Sequence, residues 1–179
     1  MQLVLISGMP GAGKSVLAEE FRSAGFPVIV MGDVIRNEAR RRGLEPNPAN
    51  TKKVMLDLRA QDGMGAVAKR CVTALKDEKT SIVAIEGCRS IAEIDVFDDY
   101  AEDLKIICVH SSPTVRFERL KTRGRDDAPQ EWETFRERDL REISVGLGGV
   151  IALSDIMLVN EGSLEEFQKA TRGTVKRFI

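Results

Sequence analysis

Histidine is almost missing from this chain. Among 179 residues there is one, His110, and tryptophan and tyrosine also occur once each. A hydrolytic triad needs an imidazole beside its nucleophile, so Ser–His and Cys–His chemistry lacks a base. The three cysteines, Cys71, Cys88 and Cys108, are odd in number, widely spaced and in no C-x-x-C pair. That pattern argues against structural zinc and disulfides, and predicts small core side chains in a reducing compartment. No apolar run approaches the roughly 20 residues a membrane-crossing helix requires. Formal net charge is −1 and the pI is near 6.0, so the whole-molecule field gives no reason to expect nucleic acid or an acidic membrane as partner. Met1-Gln2 runs straight into an apolar strand, and the expectation is a soluble, cytoplasmic protein.

What the chain does hold is the run Leu3 to Ser15, LVLISGMPGAGKS. Leu3 to Ile6 form a short buried strand, and Gly8, Gly13, Lys14 and Ser15 fill the fixed positions of G-x-x-x-x-G-K-[ST]. Glycines let the backbone wrap so that successive N–H groups face phosphate oxygens, and a helix starting near Lys14 adds its positive end. Gly8, Pro10, Gly11, Ala12, Gly13, Lys14, Ser15 and Val16 are thus the expected contacts of a nucleoside triphosphate. Lys14 reaches the β- and γ-phosphates and faces solvent in the empty loop; the Ser15 hydroxyl takes a magnesium ion. A glycine turn that merely joins strand to helix is the plain alternative. Both functional flanks are present, however: Val16, Leu17, Ala18 and Phe21 recur at helical spacing, and Gly25 stands where that helix must stop.

Further apolar runs follow at Pro27 to Met31, Ser81 to Ile85, Leu104 to Val109 and Ile156 to Val159, with helical patterns between them. Their β-branched content without strict polar alternation suits strands covered on both faces. The expected fold class is α/β: a doubly wound, mainly five-stranded parallel sheet with helical insertions, the phosphate loop at the carboxyl end of the first strand. One domain, 1–179, divides into a core of 1–32, 78–111 and 150–179, an insertion of about 33–77, and a second of about 112–149 that holds seven arginines. Ser163 and Glu166 make a capping box that opens the last helix.

Two short segments carry a carboxylate and an arginine three residues apart, each after a strand. Gly32-Asp33-Val34-Ile35-Arg36 follows the second, and Glu86-Gly87-Cys88-Arg89 follows the third. Asp33 alone could be only a helix-start carboxylate. Glu86, ending an apolar run, stands where a carboxylate faces magnesium beside bound phosphates. Here the chain resembles the nucleoside monophosphate kinases, adenylate kinase in particular, through GMPGAGKS, GDVIR and EGCRS in the same order. The resemblance implies a P-loop kinase-type fold with an acceptor-binding insertion and a lid, ATP as phosphoryl donor and AMP as the leading acceptor. It further implies that Ser15 and Glu86 attend the magnesium and that Asp33, Arg36, Gly87, Arg89 and Glu93 meet the acceptor. Arginine suits that work because its planar fork binds phosphate oxygens bidentately.

The arginine-rich insertion resembles the family's lid, whose arginines neutralise the transferring phosphoryl group. Arg119, Arg123 and Arg138 are the expected catalytic arginines beside Lys14, with Arg116 and Arg141 behind them; Gly124-Arg125 follows, with Gly124 as the expected hinge. The run Arg40-Arg41-Arg42 reads as a solvated face. Asn160 and Gly162, after the last strand, resemble the segment lying against the donor base. Glu93 departs from the family, where a glutamine reads the acceptor adenine; an ionised carboxylate accepts hydrogen bonds and donates none. Two other readings stand. Asp33 and the tail ASDIMLVNEGS are similar to dephospho-coenzyme A kinase, which phosphorylates a hydroxyl and needs a base. A nucleotide-sensing ATPase would need the same loop and clamps.

Overall fold

Successive residues of a strand point to opposite faces, and the first apolar run uses both. The computed structural model describes residues 1–76, 78–123 and 129–179. Its strands are β1 (Gln2–Ser7), β2 (Val28–Val30), β3 (Ile82–Glu86), β4 (Asp103–His110) and β5 (Ile156–Val159). They form one sheet of order β2-β3-β1-β4-β5, parallel at every pairing. The helices in chain order are α1 (Lys14–Ser23), α2 (Met31–Arg41), α3 (Pro48–Asp62), α4 (Ala66–Leu75), α5 (Ile91–Asp98), α6 (Pro113–Thr122), α7 (Trp132–Val145), α8 (Leu147–Ala152) and α9 (Leu164–Val175).

Leu3, Leu5, Val83 and Ile85 pack on one side of the sheet with Val67, Cys71 and Leu75 of α4, Phe97 of α5 and Leu147 and Val150 of α8. Val4, Ile6, Ala84, Ile107 and Val109 pack on the other with Leu17 and Phe21 of α1 and Phe167 and Val175 of α9. Each such fully buried aliphatic or aromatic side chain contributes about 1.5–3 kcal/mol. This is the doubly wound α/β arrangement that the apolar runs predict. A smaller cluster of Ala39, Val54, Leu58 and Ala66 holds α2, α3 and α4 together.

The structure departs from the sequence reading at the edges. Met31 opens α2 rather than closing β2, so the edge strand has three residues. Met157 and Val159 of β5 are exposed, so that strand is covered on one face only. The run Arg40-Arg41-Arg42 is not simply solvated: Glu38 takes both Arg41 and Arg42, which hold its carboxyl down at about 2, and Arg42 also reaches Asp57 on α3. All three cysteines are buried and free, and burial pushes the thiols of Cys71 and Cys88 up to about 12 and that of Cys108 to about 11. They are inert core residues. His110 ends β4, exposed and in register with Val159. Among the described residues no helix is long and apolar enough to cross a membrane.

Candidate functional site

Register brings the motifs to one edge. Glu86 pairs with Val30 on one side and Ile6 on the other, Ile6 pairs with Ile107, and Ile107 with Ile156. Whatever follows these residues in sequence emerges at the carboxyl edge of the sheet: the glycine loop, the start of α2, the EGCRS turn, the Ser111-Ser112 link and Asn160 to Gly162. Two buried bonds stitch the first of these to the third. Gly87 N–H donates to the Ile6 carbonyl at 2.9 Å, and the Ser7 hydroxyl to the Cys88 carbonyl at 2.8 Å.

The loop from Gly8 to Gly13 has the wrap expected of its composition. Gly8 has φ +137°, and a Cβ there would strike the Val109 carbonyl; Gly13 has φ +108°, and a Cβ there would strike the Asn160 amide. Only glycine fits both positions. Lys14, however, does not face solvent. Its Nζ donates to the carbonyls of Gly8 at 2.8 Å and Met9 at 3.1 Å, folding the side chain back over its own loop. Burial, then the nearby Arg89 charge, lowers its pKa from 10.5 to about 8, with Glu86 and Glu142 pulling the other way. The loop's partners come from distant elements. Pro10 C=O accepts from Arg116 at 3.2 Å, and Ala12 C=O accepts from Asn160 Nδ2 at 2.8 Å and Ser111 Oγ at 3.3 Å. Gly11 lies against Arg116 and Leu120 of α6. Ser15 is exposed in the first turn of α1 and Val16 is partly buried behind it.

At the GDVIR segment, Asp33 in the first turn of α2 accepts from Arg36 Nη2 at 2.6 Å and Nε at 2.9 Å. Arg36 folds back over Gly32. Glu86, partly buried, ends β3 and is followed by Gly87 at φ +108°. Arg89 Nη1 pairs with Glu142 of α7 at 3.1 Å. Glu93 is 2% exposed, and both its oxygens are engaged: one accepts from the Arg89 backbone N–H at 2.7 Å, the other pairs with Arg59 of α3 at 3.3 Å. Burial pushes the Glu93 carboxyl pKa up, and the bonds from Arg89 and Arg59 oppose that. Arg59 is itself nine-tenths buried, and its Nε has no partner among the described residues. Ser90 caps α5 by accepting from Glu93 N–H, so the S-x-x-E spacing was a legible cap signal for Glu93's place.

The arginines of the second insertion separate into different environments. Arg116 is 3% exposed. It forks onto Asp139 of α7 at 2.8 and 2.5 Å, bonds the Ser111 carbonyl at 3.0 Å and stacks 5.0 Å over Phe135. It anchors α6 to α7 and to the glycine loop. Arg119 donates to Ser111 Oγ, Asn160 C=O and Asn160 Oδ1 at 3.0, 3.0 and 3.1 Å, and so holds the segment after β5. Gly162 packs on Glu166 of the capping box, and Glu161 accepts from Ser112. Arg123 is exposed at the end of α6; Arg138 is partly buried and Arg141 exposed on α7. Gly124, the expected hinge, and Arg125 lie outside the described residues. Arg59, Ser111, Asp139, Glu142 and Glu161 are site-edge residues that the sequence reading missed. Asp139, Glu142 and Phe135 do share one helical face of α7, the only signal they carry.

The AAA domain family matches residues 7–136. A UPF0200 protein of Hyperthermus butylicus is 49% identical over 98% of this chain and 94% of its own length. A UPF0200 protein of Thermococcus gammatolerans is 46% identical over 99% and 95%, and one of Methanosarcina mazei 39% identical over 100% and 96%. Among solved structures, TT1252 from Thermus thermophilus superposes with a TM-score of 0.68 at 17% identity, covering 99% of this chain and 97% of that one. At that identity the likeness concerns the fold, and the α/β sheet with flanking helices is shared.

Proposed function

Because this chain belongs to the UPF0200 family and carries the P-loop nucleotide-binding core of the AAA domain family, we propose that it is a phosphotransferase. It moves the γ-phosphoryl group of ATP to a small phosphorylated acceptor, a nucleoside monophosphate with AMP foremost. One observation carries the reading: the pairing of Val30, Glu86 and Ile6 brings the glycine loop and both acid-to-arginine segments to adjacent positions on one sheet edge. A loop alone serves any nucleotide hydrolase, whereas two further arginine segments beside it suit a second phosphate.

In this reading Gly8 to Gly13 and Lys14 hold the donor phosphates, and Lys14 leaves the Gly8 and Met9 carbonyls to do so. Asn160 and Gly162 border the donor base, with Arg119 fixing Asn160. Arg36 and Arg89 bind the acceptor phosphate, and Gly87, at φ +108°, turns the chain out of β3 toward Arg89. Arg123 and Arg138 neutralise charge on the transferring group. Glu93 acts within the protein, holding Arg59 and the Arg89 backbone. Ser15 and Glu86 form an all-oxygen donor set, which suits magnesium, a hard cation that takes few protein ligands beside phosphates. Held there, magnesium would supply positive charge to offset that of the donor phosphates. No covalent enzyme intermediate is needed, because positioning and charge supply the catalysis.

Transfer to a hydroxyl is the second reading. Asp33 favours it, as an exposed carboxylate whose Oδ2 has no partner among the described residues. Incubating the protein with MgATP and AMP, GMP, CMP, UMP or dephospho-coenzyme A, then separating products by chromatography, tests both. ADP formed in step with a diphosphate supports the first reading. ADP in step with phosphorylated dephospho-coenzyme A supports the second.

A further inference from the structure

Arg89 is the acceptor-phosphate residue of the reaction proposed above, yet its partner in the structure is a carboxylate from another element. Glu142 Oε1 accepts from Arg89 Nη1 at 3.1 Å. The Glu142 side chain is 14% exposed and that of Arg89 47% exposed, so the arginine is the accessible member and the carboxylate is the one held by its surroundings. The spacing of α7 explains how it is held. Phe135, Asp139, Glu142 and Gly146 follow one another at steps of four, three and four, a single helical face. Phe135 lies beneath the Arg116 guanidinium, and Asp139 takes the Arg116 fork. At the far end a Cβ on Gly146 would lie 3.5 Å from Ser90 Cα, so the helix terminus seats against the EGCRS turn. Between these anchors the helix delivers Glu142 to Arg89. The Glu142 charge also acts on Lys14, together with that of Glu86 and against that of Arg89. The carboxylate therefore stands among the cations that donor and acceptor phosphates require.

We propose that Glu142 is a specificity-determining residue of the acceptor-phosphate subsite: it occupies Arg89 as an internal anion that an entering phosphate must displace. The inference rests on the assignment of Arg89 to the acceptor. A carboxylate and a phosphate compete for the same guanidinium donors. A phosphate monoester, with up to two charges and three terminal oxygens, displaces Glu142, whereas a singly charged diester gains too little to do so. Glu142 thus selects for monoesters, at the cost of some affinity.

The test is Glu142→Gln, which keeps side-chain shape and an acceptor oxygen but removes the charge. AMP, GMP, CMP and UMP are titrated calorimetrically against the parent, and the tightest is carried forward with its methyl diester and ATP. Glu142→Gln is expected to tighten the monophosphate on the order of tenfold. The diester should gain more, ATP should gain less, and KM for the acceptor should fall by more than kcat changes. In Arg89→Ala the added Glu142→Gln should produce no gain. Glu142→Asp, which keeps the charge but withdraws it from Arg89, should fall between parent and Gln variant, so loss of fold in one variant leaves the other to decide. A purely structural role would lower the melting temperature without raising any affinity, and that result would overturn the proposal. So would an Arg89→Ala defect accompanied by unchanged or weaker binding in Glu142→Gln, while leaving the acceptor assignment standing. If Arg89→Ala leaves every monophosphate unaffected, the acceptor assignment falls and this inference falls with it.

Discussion

Lys14 shows how far residue type alone reaches. Its place after Gly13 was readable from spacing, because only that pattern aims a lysine at a phosphate; its inward fold onto the Gly8 and Met9 carbonyls was not, because nothing in the sequence says which carbonyls are near. The consequence is measurable. With a pKa of about 8 in the folded protein against 10.5 ordinarily, the unfolded chain binds more protons across that interval, so this residue's effect makes stability rise with pH from about 8 to 10.5. In the proposed reading, triphosphate binding is expected to restore a charged lysine. Calorimetry of ATP binding at pH 8 in buffers of differing ionisation heat should therefore show net proton uptake at Lys14, shrinking to almost nothing near pH 6.5, and Lys14→Met should abolish the uptake. Lys14→Ala should also eliminate turnover in a protein whose circular dichroism is unchanged. Glu93 is the opposite case: the Ser90 cap spacing was legible, but Arg59 lies 34 residues away, and only the packing of α3 and α5 against α4 reveals that pair.

At the scale of elements, α6 and α7 are joined by a buried ion pair. Asp139→Ala would leave the Arg116 guanidinium buried without a counter-charge, which costs about 3–5 kcal/mol. Urea unfolding should register that loss, and the double replacement Arg116→Met with Asp139→Leu should recover most of it, since an apolar pair removes the desolvation cost along with the charge. The two insertion arginines should differ in kinetics. Arg119 makes three bonds to Ser111 and Asn160, so Arg119→Ala is expected mainly to raise KM for ATP. Arg123, exposed at the end of α6, should act on the transferring group, and Arg123→Ala should lower kcat on the order of a thousandfold with little change in ground-state binding. Steady-state kinetics on both variants separates these outcomes. Helical spacing puts Arg116, Arg119 and Arg123 on one face; which of them is buried depends on Asp139 and Phe135, residues of a different helix.

Across the whole molecule, the sheet was legible because strands buried on both faces must be apolar without alternation, and β1, β3 and β4 obey that rule. β2 and β5 deviate because edge strands have one neighbour and less cover: Met31 leaves for α2, and Met157 and Val159 stay exposed. The convergence of loop, clamps and insertion at one edge follows from parallel connectivity, and was readable once the strands were. The contact of α7 with Arg89, across 53 residues, was not, because it depends on how the second insertion folds over the edge. In the proposed reaction the phosphoryl group passes to a second phosphate rather than to water. ATP labelled in its γ-phosphate, incubated with magnesium, the protein and each unlabelled nucleoside monophosphate, tests it most directly. The label should appear in a nucleoside diphosphate in step with ADP, for AMP before the others, and should be absent in Lys14→Ala. Label released only as inorganic phosphate, at a rate indifferent to every monophosphate, would contradict it.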